Sequence, residues 1–195
     1  MHPRKPSRPR ILITGFGPFS DRSLNGSESL ARALHGEEVL GARVESRILD
    51  VIWGEPEQRL PGWIAELEPT LVIGLGEARG SELRFESRAV NHADGSDITG
   101  GPPPFKPELR PGAAHELFST LRFDTAWLDG VAPATVSDDA GSFLCNNWLY
   151  TALETAAVPT GFIHLPIQGK SASDEFAARW KPALLHVIAA NLQGR

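Results

Sequence analysis

Cys145 is the only cysteine in this 195-residue chain, and it sits within SDDAGSFLCNNWL, residues 137–149. A strand-like ATVS run leads into a Gly-containing turn and then a helical stretch whose Trp148, Leu149, Ala152, Leu153 and Ala156 share one apolar face. Cys145 then falls in the first helical turn, where unpaired backbone N–H groups and the helix dipole favour a thiolate. The same N–H groups could hold the oxyanion of a tetrahedral intermediate, so one turn would supply both nucleophile and oxyanion hole. A lone cysteine is more commonly a small buried hydrophobe, and position alone leaves both readings open.

Two other stretches carry groups that could serve such a thiol. In TGFIHLP, residues 160–166, His164 closes an apolar strand, which suits a base projecting from the carboxyl edge of a sheet. An isolated histidine is more often satisfied by a backbone carbonyl. In GLGEARGSELRFESRAVN, residues 74–91, Glu86 is a lone acid in a packed strand, available to orient a histidine or simply facing solvent. The glycines Gly74, Gly76 and Gly80 hint at a dinucleotide loop, but a strand follows where that motif needs a helix.

The elements that must position these groups alternate along the chain. Residues 10–16 and 70–75 are compact apolar strands of the doubly buried type. Asn25 or Ser27 can cap a helix through about His35, 43–52 is a strand, and Glu55 to Leu67 is a Pro-started helix. Residues 83–91 form one further strand, and a Pro/Gly-rich loop spans Asp94 to Gly112. The remainder predicts helix 112–121, strand 132–137, helix 143–157, strand 160–165 and helix 173–192. This order implies a three-layer α/β/α sandwich with a mainly parallel twisted sheet, ligands gathering at the carboxyl ends of its strands.

Residues 1–9, with three prolines and Arg4, Lys5 and Arg8, predict a flexible basic arm, leaving 10–195 as a single domain. A net charge of −5 argues against nucleic-acid and anionic-membrane partners. No apolar run reaches the roughly 20 residues that span a bilayer. One cysteine cannot form an internal disulfide, and the six histidines lack zinc-site spacing, so no metal is expected and a cytoplasmic setting is the simplest.

In order, ILITGFGPF with Asn25, VIGLGEARG followed by ESRAVN, SDDAGSFLCNNWLYTAL and GFIHLP resemble the pyroglutamyl peptidase I family of cysteine peptidases, from residue 11 to about 166. The resemblance implies Cys145 as nucleophile, His164 as general base and then acid, and Glu86 as the carboxylate that orients it. It implies a substrate pocket at Phe16, Phe19, Phe143 and Leu144, with Asn25 as a further binding position. Arg79 and Leu75 fall at other positions of the Gly-rich turn. The substrates implied are peptides with an N-terminal pyroglutamate, and no cofactor is required.

The chain departs from the family pattern in three places, the first being one residue more between Gly74 and Glu86. The Asp-x-Arg-Ile-Pro-Asp-Asn stretch is reduced to DGSDITG at 94–100, and IQGKSASDEF after Pro166 replaces a longer loop, which bears on assembly into a homo-oligomer. A member that binds pyroglutamyl ligands without cleaving them, and a nucleotide enzyme using the Gly74–Gly80 loop, remain as rival readings.

Overall fold

The computed structural model describes residues 8–19 and 22–193. The β-branched runs form the middle of a sheet, as stretches buried on both faces must. In chain order the elements are β1 (Arg10–Phe16), α1 (Gly26–Leu34), β2 (Glu38–Val39), β3 (Ala42–Leu49), α2 (Glu55–Leu67), β4 (Leu71–Ala78), β5 (Leu83–Glu86), β6 (Arg88–Val90), β7 (Glu116–Phe118), β8 (Ala134–Ser137), α3 (Leu144–Thr155), β9 (Thr160–Pro166) and α4 (Ser173–Gln193). Seven strands make the main sheet in the order β2-β3-β1-β4-β9-β5-β8. β3, β1, β4 and β9 are parallel, whereas β5 runs antiparallel to β9 and carries β8 parallel to itself.

Strand alternation divides the core into two layers. Ile11, Ile13, Ile73, Leu75, Ile163 and Leu165 pack against α1 and α4. Leu12, Val72 and Phe162, between them in sequence, pack against α2 and α3. Each fully buried aliphatic side chain contributes about 1.5–3 kcal/mol, so these alternating sets decide which helix lies on which face. The expected three-layer α/β/α sandwich is the observed fold.

Asn25 caps α1 by accepting a hydrogen bond from the Ser27 N–H at 3.0 Å. The Pro-started helix spans Glu55–Leu67 as expected. Two expectations fail. Residues 112–121 do not form a helix: Gly112 has φ +73, and β7 pairs antiparallel with β6 in a separate two-stranded sheet. The Ser119 N–H donates to Ser87 O, and the Thr120 and Leu121 N–H groups both donate to Thr160 O, so strand partners meet the demand a helix would have met internally. The single strand expected over 83–91 breaks at Ser87, whose N–H still bonds Ser137 O while the following residues leave for β7.

Residues 1–7 of the expected arm lie outside the described residues. Arg8 pairs with Glu38, and Pro9 O accepts from the Arg43 N–H at 2.9 Å.

Gly74 on β4 shows how closely α3 approaches the sheet. A Cβ there would lie 2.5 Å from the Phe162 ring and 2.6 Å from the Trp148 ring, in fully packed surroundings. Gly74→Ala is therefore expected to destabilise the fold by about 1–3 kcal/mol, measured as a lowered urea midpoint at unchanged m-value.

Candidate active site

Cys145 is the second residue of α3. The helix starts there because Asn146, fully buried, staples it to β6: its Oδ1 accepts from the Val90 N–H at 2.8 Å, and its Nδ2 donates to Val90 O and His92 O. The N-cap residue Phe143 supplies no side-chain hydrogen bond to the first-turn amides. Those N–H groups are left for another acceptor.

The thiol sits directly over β4. A Cβ on Gly76 would come within 2.8 Å of Cys145 Sγ, so only glycine leaves room for it. Gly76 in turn pairs with His164 on β9. The glycine pattern that hints at a dinucleotide loop thus serves packing: Gly74 and Gly76 admit Trp148, Phe162 and the thiol, and β5 follows where a dinucleotide helix would be needed.

His164 is 4% exposed, and its Nδ1 lies 2.6 Å from Oε1 of Glu86, which has no exposed surface. An ionised carboxylate only accepts, so Nδ1 carries a proton and Nε2 is left to face Cys145. Burial by itself would lower the His164 pKa, but the neighbouring Cys145 and the Glu86 carboxylate outweigh it and raise the value to about 9. The three chemistry-bearing residues, from three separate stretches of sequence, therefore meet.

Beside them lies a cleft of about 200 Å³. Phe16, Phe19, Phe143, Leu144 and Asn25 all line it, together with Val51 and Ile167, which the sequence reading did not select. Phe143 is held by an edge contact to Trp53 and a tilted one to Phe19, with centroids 5.3 and 5.5 Å apart. The Asn25 side chain is already committed to the α1 cap and, through Nδ2, to Gly17 O at 2.8 Å.

Leu75 and Arg79 stand apart. Leu75 alternates to the opposite face of β4 and is buried against α1 and α4, and Arg79 is exposed beyond the end of that strand.

The sequence reading also passed over Glu77 and Asp97. Glu77 Oε1 accepts from the Gly26 and Gln168 N–H groups at 2.7 Å each, and its other oxygen pairs with Arg22. It ties the β1–α1 connection to the segment after β9 at the mouth of the cleft. Asp97, in the altered 94–100 segment, accepts from the Trp53 N–H at 3.0 Å and from Thr99 and Gly101. Burial opposes its charge, but the Thr99 hydroxyl and these backbone N–H groups prevail and hold its pKa below the usual carboxylate value. The short segment therefore still supports a cleft wall, through Trp53 and Phe143. Among the described residues no cluster of metal-ligating side chains occurs, and no helix is long and apolar enough to cross a membrane.

A doubly covered, mainly parallel sheet with thiol, imidazole and carboxylate gathered at its C-terminal edge is the arrangement of an α/β cysteine hydrolase. Comparison with known proteins narrows this class. The family model for pyroglutamyl peptidase matches residues 9–190, and the chain belongs to that family.

A pyrrolidone-carboxylate peptidase of Chromobacterium violaceum is 37% identical over 163 residues, covering 80% of this chain and 77% of the relative. One from Thermococcus onnurineus is 36% identical, with 85% and 88% covered. Among solved structures, pyrrolidone carboxyl peptidase from Pyrococcus furiosus superposes with a TM-score of 0.84 at 29% identity, over 95% of this chain and 99% of that one.

Two outcomes follow from this geometry. Alkylating Cys145 with iodoacetamide removes a charge partner that raises the His164 pKa, so the imidazole should titrate below about 9, read from its ring-proton NMR shifts. Asp97→Asn, which loosens the Trp53 support of Phe143, should raise KM several-fold for a substrate filling the cleft while changing kcat little.

Proposed function

We propose that this protein hydrolyses the bond between an N-terminal pyroglutamyl residue and the next residue of a peptide, with Cys145 as nucleophile, His164 as general acid and base, and Glu86 as the group that orients it. The observation that carries this reading is the convergence of Cys145, His164 and Glu86 beside an aromatic cleft of about 200 Å³.

The thiolate–imidazolium pair is the reactive state, favoured by the Glu86 carboxylate at Nδ1 of the imidazole and by the first-turn amides of α3. Sulfur attacks the pyroglutamyl carbonyl carbon, and the resulting oxyanion is held by those amides. The C–N bond breaks as His164 passes its Nε2 proton to the departing amine, leaving a thioester and a neutral imidazole. His164, no longer supported by a neighbouring thiolate, then takes a proton from water as the hydroxyl adds to the thioester. Expulsion of sulfur yields pyroglutamic acid and restores the ion pair.

The cleft suits the substrate by what it offers and by what it withholds. Phe16, Phe19 and Phe143 provide flat walls for an uncharged lactam ring. Among the described residues Glu77 is the one acid lining it, and both its oxygens are engaged by Arg22, Gly26 and Gln168. A free α-ammonium would enter without a counter-charge, which disfavours unblocked peptides. The single cysteine of the chain, required as a thiol, fits a reducing cytoplasmic setting.

A chromogenic pyroglutamyl anilide should be cleaved, and iodoacetamide should abolish cleavage. Cys145→Ala should lower kcat/KM by about 10⁴-fold or more, with Glu86→Gln about two orders of magnitude less severe. Turnover by Cys145→Ala at the wild-type rate would overturn the reading, as would a wild-type protein that binds pyroglutamyl peptides and leaves them intact.

A further inference from the structure

Glu86 has a second neighbour that the reaction as described does not use. Arg84 lies two residues earlier on β5, on the same face, and stands directly opposite His164 in the antiparallel β5–β9 register. Its Nε is 3.7 Å from Oε1 of Glu86, the same oxygen that meets His164 Nδ1. That Nε is buried without a hydrogen-bond partner, and so is Glu86 Oε2. The rest of the guanidinium reaches solvent, its side chain being 32% exposed.

We propose that Arg84 is a positioning residue that supplies the permanent counter-charge of Glu86 while His164 cycles between its charged and neutral forms. The inference rests on the roles proposed above for Cys145, His164 and Glu86. A carboxylate without exposed surface is costly to keep ionised unless an opposite charge stays near it. In the resting ion pair, His164 provides that charge. In the thioester state it does not, because its proton has left with the amine.

Arg84 cannot lose its charge at any working pH, so it covers the interval. With it, thiolate, imidazolium, carboxylate and guanidinium sum to zero, and so do thioester, neutral imidazole, carboxylate and guanidinium. Without it the cluster is one negative charge in excess in both states. The excess would hold a proton on His164 and withhold the base that thioester hydrolysis needs.

The other groups packed around His164 do not replace this charge. α3 contributes Cys145, β9 contributes Phe162, whose ring stands edge-on at 5.0 Å, and β4 contributes Gly76. Glu77, next to Gly76, is bound to Arg22, Gly26 and Gln168.

The test uses the full-length enzyme, its Arg84→Gln, Arg84→Thr and Arg84→Lys variants, and pyroglutamyl p-nitroanilide, with burst and steady-state phases followed from pH 5 to 10. In Arg84→Gln and Arg84→Thr the acidic limb of thioester hydrolysis should move up by about one pH unit, lowering its rate near neutrality about tenfold. kcat and KM should fall together, leaving kcat/KM within about threefold. Arg84→Lys should restore the wild-type profile within about threefold. If folding of the neutral variants fails, the same comparison is read from the His164 titration in iodoacetamide-treated wild type and Arg84→Lys at low and high salt, where screening should raise its pKa in both.

An unmoved acidic limb, a uniform loss at all pH values that lysine does not restore, or a salt-independent titration would overturn the proposal. Absence of cleavage by the wild type would instead remove the reading of function on which it rests.

Discussion

The 2.6 Å contact between His164 Nδ1 and Glu86 Oε1 governs how the rest of the site must be built. Both groups are buried, so an imidazolium here depends on the carboxylate beside it, and the contact determines which imidazole nitrogen is free to face the thiol. It also requires β5 to lie against β9, since Glu86 and His164 are 78 residues apart and no local turn could join them. The reversal of β5 against β9 is the topological means of bringing an acid to a histidine at the strand ends.

Close approach of α3 is the second requirement. The thiol can stand over β4 only because position 76 has no side chain, and the helix can reach that depth only because Gly74 leaves space for Trp148. Asn146 then fixes the first turn of α3 by two hydrogen bonds to Val90 of β6 and one to His92 just beyond it. The amides proposed to hold the oxyanion are consequently set in place before substrate arrives, which is where electrostatic stabilisation gains most.

Much of this was legible in the residues themselves. The apolar runs of β1, β4 and β9, the Asn25 cap and the Pro-started α2 are local signals, and the structure follows them closely. The place of Cys145 in the first turn of α3 was likewise readable from the turn before it.

Less was readable where the outcome depends on distant partners. The 112–121 stretch has a helical composition, but its backbone groups are claimed by Ser87 and Thr160, far away in sequence. Arg84 reads as an ordinary strand residue until the register places it opposite His164. Glu77 reads as part of a glycine turn, because nothing local shows that Arg22, Gly26 and Gln168 converge on it. Leu75 differs from its glycine neighbours only by strand alternation, which turns it into the opposite core.

The direction of β5 has one more effect. Because it opposes β9, Glu86 pairs with Phe162 and so lies two residues deeper in the sheet than His164. The cleft walls, by contrast, come largely from the end of β1 and the loop after it and from the start of α3, with Val51 after β3, Gly76 and Glu77 on β4 and Ile167 after β9 completing them. In the proposed reaction, proton-handling and ring recognition thus occupy separate storeys of the same sheet, with the imidazole as the floor between them. Sequence can drift in the upper storey, retuning which blocked peptide is accepted, without disturbing the acid beneath.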